Sequence, residues 1–196
     1  MIESIRGTLS ALTPTDATVE TPGGVAYLLN ITLPTYSALE GQTNVRLLVH
    51  ENIREDAWTL FGFIDEAERA LFRQLIGVSG VGAGSARTIL SAIPAAELGA
   101  VITSGDTKRL KNVKGIGAKT AERIIVDLRD KIKTTEATLL LQPNRGKDSE
   151  AFEEALTALT ILGYTRQQSQ KALGKIFDAD PATKVEVAIR KALAMM

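Results

Sequence analysis

The 196-residue chain is 44% hydrophobic and 23% charged, balances 23 basic against 23 acidic side chains, and holds one histidine and no cysteine. A disulfide framework and a thiolate metal site are thereby excluded, and the single His50 cannot build a zinc site alone. Met1-Ile2-Glu3-Ser4-Ile5-Arg6 lacks the basic and apolar parts of a secretion signal, and no apolar run is long enough to span a bilayer, so a soluble, cytoplasmic protein without membrane association or cofactor is expected.

The first sixty-odd residues alternate β-branched or aromatic residues with small or polar ones between turn signals. Strands are expected over Ile2 to Leu12, Thr18 to Thr21, a segment with Val25, Tyr27, Leu29 and Ile31 on one face, Val45 to Ile53, and Ala57 to Phe63. Arg54-Glu55-Asp56 joins the last two as a hairpin. Five short strands in so little chain suggest a small closed barrel of the OB-fold type over residues 1–64.

At Asp65, a candidate N-cap, the period becomes helical through Ala67, Leu71, Leu75 and Ile76. A further helix is expected from Pro94 through Val101. The zero net charge conceals a local imbalance: residues 1–64 hold three basic against seven acidic side chains, whereas residues 106–133 hold nine against four. Such a basic stretch can attract a polyanion on one face.

Within residues 65–133 lies an internal repeat at an offset of 35. Val78-Ser79-Gly80-Val81-Gly82-Ala83-Gly84-Ser85-Ala86-Arg87-Thr88-Ile89-Leu90 aligns with Val113-Lys114-Gly115-Ile116-Gly117-Ala118-Lys119-Thr120-Ala121-Glu122-Arg123-Ile124-Ile125. Each copy reads as a helix, a Gly-aliphatic-Gly hairpin and a second helix. The glycines allow the turn, the aliphatic residue pins it to the core, and the free N–H groups of the new helix favour an anion. A phosphate suits that place, and contacts of this kind hold DNA without reading its sequence. The DNA-contacting candidates are Gly80, Val81, Gly82, Ala83, Gly84 and Ser85 in the first hairpin, and Lys114, Gly115, Ile116, Gly117, Lys119, Thr120 and Arg123 in the second. A nucleotide-binding loop fails on spacing, because Ala118 stands where a Walker loop needs glycine and a helix, not a strand, precedes.

Residues 134–148, including Thr134-Thr135 and Pro143-Asn144-Arg145-Gly146-Lys147, read as a flexible linker. Residues 149–196 read as three short helices: Glu150 to Leu162 ended by Gly163, Thr165 to Gly174 with Thr165 and Gln168 as a capping box, and Pro181 to Ala194. Phe152, Leu156, Leu159, Ile161, Leu162, Leu173, Ile176, Phe177, Val185, Ile189 and Leu193 are its expected core.

The paired hairpins, the run Lys114 to Arg123, the Arg54-Glu55-Asp56-Ala57 hairpin, Gly62-Phe63 before the first helix and Leu162-Gly163-Tyr164 together resemble the RuvA family of Holliday-junction-binding subunits over nearly the whole chain. The resemblance implies an OB-fold domain that assembles as a homotetramer, or an octamer on DNA, around a four-way junction. It implies a tandem helix-hairpin-helix domain on the duplex arms, and a three-helix, UBA-like domain over 149–196 that contacts the hexameric RuvB motor, with the RuvC resolvase in the same complex. It gives Glu55 and Asp56 the role of an acidic pin at the tetramer centre. Gly84 departs from the pattern, since many members carry lysine there.

No nucleotide loop, metal-ligand cluster or nucleophile with a partner base is present, so a non-catalytic subunit is expected. The alternatives are a helix-hairpin-helix repair enzyme, a glycosylase or nuclease, and a protein-interaction scaffold.

Overall fold

The computed structural model describes residues 1–140 and 147–195, of which 133–140 and 147–150 are described in backbone only. Two compact units divide the chain, Met1–Glu136 and Ala137–Met196.

The first unit opens with five strands, β1 (Ser4–Leu12), β2 (Asp16–Glu20), β3 (Ala26–Asn30), β4 (Asn44–Ile53) and β5 (Trp58–Phe63), closed into a barrel in the order β1-β2-β3-β5-β4. All neighbours are antiparallel except β3 and β5, whose parallel pairing of Leu29 with Leu60 closes the circle. Gly7 lets β1 and β2 approach, since a Cβ there would lie 2.0 Å from the Glu20 carbonyl oxygen. Ile5, Val19, Leu29, Ile31, Leu39, Leu47 and Val49 fill the interior. Of the residues expected on one face of β3, Leu29 and Ile31 are buried while Val25 is exposed.

Between β3 and β4 stands a helix not expected from the sequence, α1 (Leu33–Leu39). The Thr32 side chain caps it by accepting the Thr35 N–H, and a proline occupies its first turn.

Along β5 the pleat serves two cores. Leu60 faces the barrel interior, while Phe61 and Phe63 belong to the helical core and meet the Phe72 ring at centroid distances of 5.0 and 4.9 Å. Phe72 sits on α2 (Glu66–Ile76), capped as expected by Asp65, whose carboxylate accepts the Glu68 N–H at 2.8 Å. Then follow α3 (Ala83–Ala92), α4 (Ala95–Ser104), α5 (Thr107–Lys111) and α6 (Ala118–Leu140). The helix after Pro94 runs beyond Val101 to Ser104, where left-handed Gly105 ends it.

Two buried polar contacts fasten α2 to the barrel. Arg69, 4% exposed, donates to the carbonyl oxygens of Glu3 (3.0 Å) and Val49 (3.3 Å) and pairs with the carboxylates of Glu3 and Glu66. Glu68 accepts the hydroxyls of Thr32 and Thr35 on either side of the α1 start.

The expected linker begins in helix: α6 continues through residue 140, because no glycine or proline interrupts it after Gly117 and Glu136, Ala137, Leu139 and Leu140 are good helix formers. Residues 141–146 of that stretch lie outside the described residues, and 147–148 open the next helix.

The second unit holds α7 (Lys147–Ile161), α8 (Arg166–Ala179) and α9 (Val185–Met195) around Ala155, Leu156, Leu159, Leu173, Ile176 and Ala188. Gly163 (φ +98°) ends α7 as expected, and the Thr165 hydroxyl caps α8 by accepting the Gln168 N–H. Three expectations are corrected. Helix α8 passes through Gly174 to Ala179, because flanking Leu173 and Ile176 are buried and outweigh the roughly 1 kcal/mol cost of a helical glycine. Pro181 opens a turn instead of a helix, since the Asp180 carbonyl binds Thr183 N and Oγ1 and its carboxylate binds Ala182 N. Ile161 and Leu162 are 80% and 59% exposed, and small side chains at Ala155, Ala172, Ala188 and Ala192 take the core instead.

Candidate nucleic-acid interface

The two repeat copies adopt matching local structures. Gly80 and Gly115 have φ of +90° and +86°, a region open to glycine at little cost. Val81 and Ile116 are buried, and their N–H groups close equivalent turns onto the Val78 and Val113 carbonyl oxygens at 3.0 and 3.1 Å. Ala86 and Ala121 are fully buried one turn into α3 and α6, and their N–H groups each reach the second glycine of the hairpin, Gly82 and Gly117, at 2.9 Å.

What this leaves outside is a pair of helix starts. Gly82 occupies the N-cap of α3 and provides no side-chain hydrogen bond to the first turn, unlike Thr32, Asp65, Asp106 and Thr165 on other helices. Glycine has no side chain with which to satisfy those N–H groups, so an external acceptor can. Gly82, Gly84, Gly117 and Ala118 are exposed, and Ala83 is buried beneath. Ser85 and Thr120, at equivalent places, are both half-buried.

The charged side chains differ between copies. Lys114 and Lys119 are exposed at the second hairpin. At the first, a Cβ added to Gly84 would meet no atom within 4 Å, so the space is open but the copy lacks a cation there. Arg123, expected among the phosphate contacts, is exposed and donates from Nη1 to the carbonyl oxygen and hydroxyl of Ser79 at 3.1 and 3.0 Å, which ties α6 to the loop of the first hairpin. Nearby, Asp106 caps α5, Arg109 pairs with Glu97, and Arg129 donates to the Thr103 carbonyl oxygen.

Several positioning residues were not expected from the sequence. Arg87, on α3, donates to the Asn30 side chain at 2.8 Å and the Thr15 carbonyl oxygen at 3.3 Å, and Ser91 Oγ accepts the Leu33 N–H. Together with Arg69 and Glu68 they fix the hairpin helices to the barrel. Nothing in the spacing of Arg87 marks this, because its equivalent in the other copy is Glu122.

Glu55 and Asp56 stand exposed at the tip of the β4–β5 hairpin, whose closing hydrogen bond runs from Arg54 N to Ala57 O at 2.8 Å. Among the described residues no group of three His, Cys, Asp or Glu is arranged to hold a metal ion, and no single helix is long and apolar enough to cross a membrane.

Family models match almost end to end: the RuvA N terminal domain over residues 1–62, a SAM-like helix-hairpin-helix tandem over 72–130, and the RuvA C-terminal domain over 150–196. Among curated relatives, a Bacteroides thetaiotaomicron protein is 48% identical with 98% of both chains covered, and one from Parabacteroides distasonis is 46% identical with 100% of both covered. A Christiangramia forsetii protein is 41% identical with 98% of each covered, and all three bear the name Holliday junction branch migration complex subunit RuvA.

Proposed function

This chain belongs to the RuvA family, and on that premise we propose that it binds four-way DNA junctions without sequence preference, as the non-catalytic subunit of a branch-migration complex. The observation that carries this is the matched pair of glycine-capped helix starts, which offer to phosphates backbone N–H groups whose contacts carry no sequence information. Lys114 and Lys119 add charge to the second site. Arg123 acts there chiefly by holding Ser79, and thus the first hairpin, in place.

The division of labour follows the chain. Residues 1–64 assemble the protein into a homotetramer, a second tetramer making an octamer on DNA. Residues 65–133 grip the duplex arms, and residues 149–196 engage the RuvB hexamer, in which the ATPase resides, with RuvC joining on the same junction. Fourfold assembly would gather the tips bearing Glu55 and Asp56 around one axis. Carboxylates near phosphates where water is scarce are strongly unfavourable, so the tips disfavour continuous duplex across the centre and help splay the strands.

Mobility shifts with a four-way junction and a linear duplex of equal length test the reading, together with the mass of the free protein and of its junction complex. Tight binding to the junction over duplex, at a mass of four or eight chains, is expected. Equal affinity for both DNAs would overturn it.

A further inference from the structure

Ile53 and Trp58 are cross-strand partners at the free end of the β4–β5 hairpin. By register they continue the barrel-facing series of Leu47 and Val49 on β4 and Leu60 on β5, all buried. The hairpin outruns the barrel, however. Strand β1 pairs with β4 only as far as Leu48, and β3 pairs with β5 only at Leu60 and Phe61, so beyond them the ribbon has two strands and its inner face is open. Ile53 is accordingly 69% exposed and Trp58 66% exposed. The chain's one tryptophan thus stands two residues from Asp56, with Arg54, Glu55 and Asp56 at the tip and Glu51 on the adjoining strand.

We propose that Trp58, backed by Ile53, is a stacking platform for a nucleobase left unstacked at the crossover of a four-way junction. The inference rests on the reading that the acidic tip sits at that crossover. An aromatic face among carboxylates repels phosphate but accepts the flat, uncharged face of a base, and stacking of this kind is indifferent to sequence. In a linear duplex every base already has stacking neighbours, so only a crossover offers a partner.

Because no other tryptophan is present, indole emission from the full-length protein reports on this position alone. The protein is titrated with a four-way junction and with a linear duplex, each carrying 2-aminopurine at the crossover or in mid-arm. The junction is expected to quench indole emission about twofold or more and the duplex to leave it nearly unchanged. Trp58→Ala is expected to weaken junction binding about fivefold, to leave duplex binding within about twofold, and to change 2-aminopurine emission only at the crossover; Trp58→Phe should largely restore affinity. Junction preference with unquenched emission, or wild-type junction affinity in Trp58→Ala, overturns the stacking role alone. Emission that is blue-shifted without DNA and reddens on dilution assigns the face to another copy and also overturns it. Wild-type protein with no junction preference overturns the stacking role and the proposed function together.

Discussion

Arg123 reaches from the second hairpin's helix to Ser79 in the first hairpin's loop, where Nη1 meets the carbonyl oxygen at 3.1 Å and the hydroxyl at 3.0 Å. The two hairpins are therefore spaced by a side chain and not only by the common core. Arg123→Lys keeps the charge but loses the planar fork. It is expected to weaken binding to junction and duplex by roughly twofold to tenfold while the salt dependence stays as in wild type. Arg123→Ala, which removes the charge as well, should also keep the wild-type salt slope; a slope reduced by about one unit in that variant, measured by fluorescence anisotropy over a salt series, would show a direct phosphate contact instead.

Lys119 is exposed, as Arg123 is, but unlike Arg123 it makes no hydrogen bond among the described residues that would give it a structural task. Lys119→Ala should reduce the slope of log affinity against log salt by about one unit, and Lys114→Ala likewise, with thermal stability unchanged. Equal slopes for variant and wild type would leave these lysines as mere surface.

Gly115 tests the hairpin backbone itself. No atom lies within 4 Å of a Cβ placed there, so substitution meets no clash and only the positive φ of +86° opposes it. Gly115→Ala is expected to destabilise the protein by roughly 1 to 2 kcal/mol and to weaken DNA binding by distorting the turn. Urea unfolding and anisotropy check the two effects separately.

The acidic tip should discriminate between DNA shapes. Glu55→Gln with Asp56→Asn is expected to raise duplex affinity and so narrow the margin for the four-way junction, with no loss of stability because both residues are exposed. Competition of labelled junction against unlabelled duplex measures the margin. A margin identical to wild type would remove the tip from junction selection.

Glu68 ties stability to pH. Burial pushes its carboxyl above the ordinary value of 4.5, against the lowering effect of the Thr32 and Thr35 hydroxyls. Between the ordinary and raised values the folded protein keeps a proton that the unfolded chain has lost, so stability falls as pH rises through that interval and levels off above it. His50 works in the opposite sense, since burial pushes it below 6.5 and stability is lost as pH falls beneath that value. The difference between wild type and Glu68→Gln isolates the carboxyl. The variant should lack the decline just above pH 4.5, as urea unfolding across about pH 4 to 8 would reveal.

The hairpins, the Asp65 cap and the alternation of the barrel strands were legible because each is a local rule. A glycine pair, a capping carboxylate and a period of two are all written within a few residues. Helix α1 was hidden because Thr32-Leu33-Pro34 also reads as the end of a strand followed by a turn. Extension of α8 past Gly174 depended on the burial of its neighbours, and the exposure of Ile161 and Leu162 on the small residues that fill the core in their place. The ties of Arg123 to Ser79 and of Arg87 to Asn30 span 44 and 57 residues and obey no spacing rule.

Because β5 turns Leu60 into one core and Phe61 and Phe63 into the other, the barrel and the hairpin helices share a wall. A chain cut after residue 64 would strand two phenylalanines on the outside of the barrel and strip the helices of the rings against which Phe72 packs. The two regions should therefore melt in a single transition. Since the same strand also begins at the acidic tip, the angle between tip and grip is set by the pleat of six residues, and neither can be retuned by lengthening a loop between them.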